Sequence, residues 1–506
     1  MISRIGPMVL VPVAFVLTGC LEWPFSAPGN GRAGEAAQLL AVPGVEGNLH
    51  RLKSEFEQLR PSHKPLRSDD PNIALFAEVL GRVVSEHVRV VEPNALIDGA
   101  IKGLRKGVEG EIKEPVTDRL LIEAAITGMM STLDPYSSYL NPESYRNMQA
   151  QTHGEFGGLG IEVTMDQKTG YIKVVAPIDG TPAARAGLRS GDLISDVDGV
   201  SVKGMTLIQA VFRMRGPTGT SVRLTIRRNE AGPTEIVSLT RSIVKLHPIQ
   251  ARSEGDVGYV RITTFNERTA SELEEAVTKL KQAREPKLSG LVIDLRNDPG
   301  GLLDQAIAVA DDFIDSGLIV SVRGRRSTEG RSYEAGGDGL IAGLPVVILI
   351  NSGSASASEI VAAALQDHHR ALVFGTRSYG KGSVQTVSPL PDGGALRLTT
   401  ARYYRPNGTS VDCVGVSPDL EIKSPAKAGR TEESHQDPAT CAGLNQPPPQ
   451  APSLRMADLC PDVKESVNVI EPAVAERDGK EAKEPPDLPL KCALAAITTK
   501  RVIGRR

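Results

Sequence analysis

The spacing of apolar positions changes along this chain, and each change marks a different kind of element. Over residues 72–90 apolar side chains recur at helical spacing, with Ile73, Phe76, Val79, Leu80 and Val83 on one face. A second helical pattern occurs twice: LIDGAIKGL at 96–104 returns 25 positions later as LIEAAITGM at 121–129. Two copies do not make a solenoid. The first reads as a local duplication adding a helix, with 108–117 as its connection. From 153 to about 244 the pattern becomes short strands punctuated by glycine, with one apolar helix face at Leu207, Val211 and Met214. From about 248 onward strands alternate with helices: a strand at 258–262, a helix at 270–283, then strands at 291–295, 345–350 and 371–375. That alternation predicts a mixed α/β core. Residues 384–390 and 395–403, around a Pro-Asp-Gly-Gly turn, predict a hairpin. Beyond 424 proline and charge dominate, predicting extended chain until a short helix near 490–499.

Two of these units end in a turn with chemical potential. The apolar run 345–350 leads into NSGSASASE at 351–359, and Ile360, Val361, Ala364 and Leu365 then follow at helical spacing. A helix therefore starts near Ser356, where bare N–H groups and the positive helix end favour developing negative charge. Lys381 follows 25 positions later, between Gly380 and Gly382. A lysine serves as a base only if burial lowers its pKa from about 10.4 towards 7, a shift worth about 4–5 kcal/mol. Together they suggest a serine nucleophile with a lysine general base. Ser356 and Glu359 also spell a capping box, a common helix start with no chemistry, and a lysine between glycines often marks an exposed turn. The segment is neither a Walker loop nor a G-x-S-x-G elbow. Upstream, the strand at 291–295 ends in RNDPGG and a helix follows through Leu302 or Leu303, Ala306, Ile307, Ala310, Phe313 and Ile314. This places a second set of free N–H groups at a sheet edge. Among the 8 histidines only His368 and His369 lie near Ser356 in sequence. At 1.5 Å per residue they stand roughly 18–20 Å along the same helix, too far to act as its base, and are expected to be exposed at the helix end.

SASASEI at 354–360, Gln366-Asp367, Arg370-Ala371, GKGSVQ at 380–385 and GVSPD at 415–419 together resemble the C-terminal processing, or tail-specific, peptidase family. The resemblance runs from about 75 to 422. It implies Ser356 as nucleophile, Lys381 as general base and Gln385 as the residue orienting the lysine. It also implies an oxyanion hole from Gly301, or its neighbour Gly300, together with Ala357. The implied fold is a crotonase- and Clp-protease-like mixed α/β core with an inserted PDZ-like domain and a helical N-terminal region. Two positions depart from the family pattern. Asp298 stands where Asn is usual, and its side chain is expected to point away from the anionic transition state; Tyr136 stands where histidine is common.

Residues 153–245 resemble a protease-associated PDZ domain. Gly157, Gly158, Leu159 and Gly160 form the candidate carboxylate loop, with Ile161 and Val163 lining the cleft beside it. A glycine turn before a strand offers N–H groups to a terminal carboxylate, and the strand edge accepts a peptide by β-addition. The resulting expectation is a serine endopeptidase cleaving exported proteins near their C-termini, without metal or other cofactor. The alternatives are an inactive PDZ scaffold and a hydrophobic-ligand carrier on the same fold.

At 506 residues the chain has room for two to four domains. A net charge of −3 without a basic stripe argues against a nucleic-acid partner. Residues 5–17 are apolar, too short to span a membrane and interrupted by Pro7 and Pro12, and read as an export signal. Leu17-Thr-Gly-Cys20 resembles a bacterial lipobox, so Cys20 is expected to carry lipid and hold the protein on the periplasmic side of the cell envelope. Residues 21–70 read as a linker, 71–152 as the helical region, 246–424 as the peptidase core and 425–506 as a tail. Cys413, Cys441, Cys460 and Cys492 form an even set with three possible pairings, spaced wrongly for zinc. A helical-repeat lipoprotein adaptor and self-association are partners that the family resemblance allows.

Overall fold

A computed structural model describes residues 45–422 apart from 62–65, 68, 110–115, 167, 179, 206, 229–232, 246, 283–287, 327–329, 338 and 340–342, together with 454–455, 459–460 and 487–499. The predicted export signal, Cys20, Cys441 and most of the tail lie outside the described residues.

Among the described residues, four helices come first: α1 (Val45–Leu59), α2 (Pro71–Glu86), α3 (Pro93–Glu109) and α4 (Asp118–Met130). Helix α1 corrects the expectation of a linker throughout 21–70. Leu49, Leu52 and Phe56 are buried in the same cluster as Phe76, Leu80, Leu96 and Ile122, and burying such side chains contributes about 1.5–3 kcal/mol each. Helix α2 begins where Asp70 accepts the N–H groups of Asn72 (2.9 Å) and Ile73 (3.4 Å) and Pro71 occupies the first turn. The repeated segments form α3 and α4, which pack backbone to backbone. A methyl group at Gly103 would meet the Ala124 carbonyl at 2.2 Å, and one at Gly128 the Gly99 carbonyl at 2.3 Å.

Strand β1 (Ser138–Leu140) and helix α5 (Pro142–Thr152) lead to the glycine-punctuated segment. It comprises β2 (Glu155–Gly158), β3 (Ile161–Met165), β4 (Ile172–Pro177), α6 (Pro182–Arg185), β5 (Leu193–Val197), β6 (Val200–Ser201), α7 (Leu207–Met214), β7 (Ser221–Arg227), β8 (Thr234–Thr240) and β9 (Ser242–Lys245). Its main sheet runs β3-β4-β5-β7-β8, leaving β3 at an edge. Strands β2 and β9 pair antiparallel, Glu155 opposite Lys245. The two ends of the segment therefore leave side by side, as an inserted domain requires.

The remaining elements of the described residues are β10 (Ile249–Glu254), β11 (Val257–Ile262), α8 (Thr269–Gln282), β12 (Gly290–Asp294), α9 (Leu303–Asp311), β13 (Gly317–Gly324), β14 (Arg331–Ala335), β15 (Val346–Ile350), α10 (Ala357–Asp367), β16 (Leu372–Gly375), β17 (Ser383–Pro389), β18 (Ala395–Tyr404), β19 (Leu420–Glu421) and α11 (Leu488–Thr498). The central sheet has the order β10-β11-β12-β15-β16-β19, parallel from β11 onward. Helices α8, α9 and α10 cover one face; α11 covers the other, through Ala493, Ala496 and Ile497. Burial on both faces explains why β15 is an unbroken apolar run and β12 is apolar up to Asp294. A second sheet contains β1-β18-β13-β14, with β17 also paired to β18. The β17–β18 hairpin sends Leu390, Leu396 and Leu398 into the N-terminal helical cluster. Cys460 is bonded to Cys492, fastening α11 to the preceding tail, and Cys413 is also in a disulfide.

Candidate active site

Because β12 and β15 are parallel neighbours, with Asp294 beside Leu349, their following turns emerge at one edge of the sheet, where open α/β sheets place ligands. The turns are stitched together. The Ser354 hydroxyl donates to the Leu295 carbonyl at 2.8 Å and the Ser358 hydroxyl to the Asp298 carbonyl at 3.1 Å. The Ala355 N–H reaches that same Asp298 carbonyl at 3.0 Å. Ser354 and Ser358 are wholly buried in these contacts. Ser356, between them, is partly exposed and sits at φ 57° and ψ −112°. A non-glycine residue held there stores roughly 1–3 kcal/mol of strain, so the surroundings must hold the turn firmly.

Glu359 supplies much of that hold. Its buried carboxylate accepts the N–H groups of Ser356 (2.8 Å), Gly380 (2.7 Å) and Lys381 (2.8 Å) and the Ser378 hydroxyl (2.5 Å). The carboxylate half of the capping box is thus formed, but it reaches across to the lysine loop as well. The Glu359 N–H itself is satisfied by the Ser356 carbonyl at 2.9 Å. Burial pushes the Glu359 carboxyl up, opposed by the Ser378 hydroxyl and these N–H groups. Tyr403, also fully buried, donates to the Lys381 carbonyl at 2.5 Å and lies 3.2 Å from the Ser356 carbonyl. Ser356 and Lys381 are therefore joined by two interior side chains. Sequence reasoning gave Glu359 only a capping role and did not single out Tyr403; the lone carboxylate inside an apolar helix face was the available signal.

The Lys381 pKa is lowered by burial and by the nearby Arg397 guanidinium, against the opposing pull of Glu359 and Asp134. Its Nζ lies over the Tyr136 ring, 4.9 Å from the centroid, a contact that favours the ammonium form. Gln385 sits on β17, where its amide nitrogen donates to Ser383 Oγ at 2.9 Å.

The glycine turn lies against the serine turn. A methyl group at Gly300 would stand 2.8 Å from the Ala357 nitrogen and 2.9 Å from Ser356 Cβ. The Gly300 N–H donates to Asp298 Oδ1 at 2.8 Å. Gly301 is placed differently. It forms a parallel bridge with Phe265, whose N–H and carbonyl bond to Gly300 O (3.0 Å) and Leu302 N (2.8 Å). In a parallel bridge the central residue's own N–H faces the other way, and Gly301 is exposed. Ala357, as the first residue of α10, has an N–H with no partner inside the helix. The Asp298 side chain is wholly buried, with Oδ1 accepting the Gly300 N–H. His368 differs from expectation. It is partly buried, with Nε2 2.7 Å from the Leu318 carbonyl.

Residues 256–422 match Peptidase family S41, and residues 173–228 match a PDZ domain. The carboxy-terminal-processing protease of Bartonella bacilliformis is 52% identical over 310 residues, 61% of this chain and 71% of the relative. This chain belongs to peptidase family S41. The carboxyl-terminal-processing protease of Synechocystis is 36% identical, over 63% of this chain and 74% of its own length. Carboxyl-terminal-processing peptidase 2 of Arabidopsis chloroplasts is 34% identical, with 66% and 67% covered. Among solved structures, the photosystem II D1 C-terminal processing protease is 33% identical, with a TM-score of 0.43, covering 70% of this chain and 93% of that one.

In this S41 chain the PDZ segment allots its glycine loop unevenly. Gly157 and Gly158 are committed to the β2–β9 pairing, opposite Ile243 and Ser242, and the Gly157 carbonyl takes the Gly216 N–H at 3.1 Å. The Leu159 carbonyl accepts from Ala183 at 2.9 Å and the Gly160 carbonyl from Ile178 at 2.9 Å. Leu159 is buried, and Gly160 has a φ of 72°. Edge strand β3 starts directly after this turn, at Ile161.

Proposed function

We propose that the protein is an exported, lipid-anchored serine endopeptidase that cleaves proteins near their C-termini through Ser356 and Lys381. The observation carrying this reading is the strained, partly exposed Ser356 whose backbone shares the buried Glu359 carboxylate with Lys381. Neutral Lys381 takes the proton of Ser356 Oγ as that oxygen bonds to the scissile carbonyl carbon. The negative charge on the former carbonyl oxygen is held by the Gly301 and Ala357 N–H groups. Protonated Lys381 then passes its proton to the leaving amine, the C–N bond breaks, and an acyl-enzyme remains. Water, deprotonated by Lys381, attacks the ester and restores Ser356. With its amide nitrogen on Ser383, Gln385 has its carbonyl oxygen available to steady the ammonium. The PDZ segment delivers the substrate tail, its carboxylate on the Leu159–Ile161 N–H groups.

Ser356→Ala and Lys381→Ala should each lower peptide cleavage at least ~10³-fold while the protein stays folded. Ser354→Ala and Ser358→Ala remove pins between the turns and should cost about 1 kcal/mol of stability each while leaving measurable cleavage. Full activity in Ser356→Ala excludes the assignment and leaves the scaffold or carrier reading. Anchoring rests on the lipobox: Cys20→Ser should release the protein from the membrane fraction or leave its precursor unprocessed, and unchanged processing and fractionation speak for an ordinary signal peptide.

A further inference from the structure

Asp298 is a buried acid that this reaction scheme leaves idle. Its side chain is 0% exposed. Oδ1 takes the Gly300 N–H at 2.8 Å, and Oδ2 is buried with no hydrogen-bond partner. Its carbonyl holds Ala355 and the Ser358 hydroxyl, so Asp298 lies in the seam between the two turns of the site. A methyl group at Gly300 would already touch the Ala355 carbonyl at 2.5 Å, so the turn that Asp298 braces has no slack against Ser356. A carboxylate here would leave a bare, desolvated oxygen and a negative charge in the turn meant to receive an oxyanion.

The surroundings offer little to balance that charge. From β11 the Arg261 guanidinium bears on it weakly, and from α10 the Ser358 hydroxyl does. Just ahead of it in the chain, Arg296 is engaged with both Asp294 and Asp487. On α10 and in the lysine loop, the Glu359 carboxylate is taken up by backbone N–H groups, that of Lys381 among them, and Lys381 Nζ lies over the Tyr136 ring. Burial, only partly offset by the Gly300 N–H, Ser358 and Arg261, pushes the Asp298 carboxyl up to about 7.

We propose that Asp298 is a positioning residue that works as a neutral acid: with a proton on Oδ2, its Oδ1 holds the Gly300 N–H and fixes the turn so that the Gly301 N–H is presented to the oxyanion. Loss of that proton to solvent charges the turn and slows acylation. The inference rests on the Ser356–Lys381 reading. It adds to the pH dependence of acylation a second ionisation, opposite in sense to that of Lys381.

The test compares full-length protein with its Asp298→Asn and Asp298→Ala variants. Peptide kcat/KM is measured from pH 5.5 to 10, alongside the rate of fluorophosphonate labelling. Asparagine keeps the acceptor for Gly300 and cannot ionise. Asp298→Asn should gain on the native protein as pH rises, its advantage growing up to tenfold per pH unit above the Asp298 pKa. Asp298→Ala, without the acceptor, should fall at least tenfold at every pH. The carbonyl stretch of a buried neutral acid, read by infrared difference between the native protein and Asp298→Asn at pH 6, should be present and should fade by pH 9. Superimposable profiles for the native protein and Asp298→Asn, with Ser356 still labelled, overturn the role of Asp298 and leave the dyad standing. Failure of Ser356 to label, with cleavage retained in Ser356→Ala, removes the dyad instead.

Discussion

At the scale of single residues, the site sets interior polar groups against the cost of burying them. Glu359 is tolerated because four donors surround it, whereas the part-buried Lys381 side chain lies over the Tyr136 ring. Its depressed pKa carries a stability cost whose sign is fixed. Below the folded-state pKa the ammonium is present in both states and the folded state bears the full penalty. The penalty fades as pH rises through the folded value and vanishes above the unfolded value of about 10.4. Lys381→Met should therefore raise the urea midpoint at pH 7, with a gain shrinking towards pH 10–11, while abolishing cleavage. An unchanged or lowered midpoint at pH 7 argues against a penalised lysine. Ser356 and Lys381 could be singled out as candidates because motif order and residue type mark them. The wider role of Glu359 was not legible, since its partners Ser378, Gly380 and Lys381 lie 19–22 positions away in a loop whose path has no periodicity to read.

Among elements, the strand–turn–helix units were readable from apolar runs followed by helical spacing. Adjacency was not. That β12 lies beside β15 is a property of the sheet, and only this brings Gly300 against Ser356. Helix α1 escaped notice because proline and glycine on either side made its surroundings resemble a linker, although Leu49, Leu52 and Phe56 already mark one helix face. The position of α11 was legible, but the surface it covers was not. It closes the second face of the central sheet, and Asp487 caps it at the Leu490 N–H (3.1 Å) while pairing with Arg296 at 2.8 Å. Arg296 directly precedes the Asn297–Gly301 turn, so the tail braces the site from behind. Removing the Cys460–Cys492 bond by Cys492→Ser should cost about 2–4 kcal/mol in denaturant unfolding. Equal midpoints for this variant and the oxidised native protein would show that the covalent link adds nothing to the packing of α11.

At the scale of the whole molecule, the PDZ segment leaves and rejoins the chain at one place, between α5 and β10. Its root touches the core directly: the Glu267 N–H donates to the Thr152 carbonyl at 3.1 Å, and His153 lies 2.7 Å from Glu267. The segment that carries edge strand β3 is thus mechanically continuous with the peptidase core. If a free carboxylate is read by the Leu159–Ile161 N–H groups, amidating a peptide's C-terminus should lower kcat/KM several-fold. Deleting the segment from Gly154 to Arg241 should erase that preference. Equal cleavage of free and amidated peptides by the intact protein would show that tails are not selected here. The domain arrangement was readable at this scale because a shift to glycine-punctuated strands has no place inside a parallel α/β core. The packing of the N-terminal helices on the β17–β18 hairpin was not, since it depends on contacts between segments some 300 residues apart.

The central claim, that Ser356 is a nucleophile activated by Lys381, is tested most directly by locating the adduct of a fluorophosphonate probe. The native protein, Ser356→Ala and Lys381→Ala are labelled at pH 7, digested and read by tandem mass spectrometry. The account predicts a single adduct on Ser356 Oγ in the native protein, none on Ser354 or Ser358, none in Ser356→Ala, and labelling slowed at least a hundredfold in Lys381→Ala. An adduct on another serine, or undiminished labelling in Ser356→Ala, would contradict it.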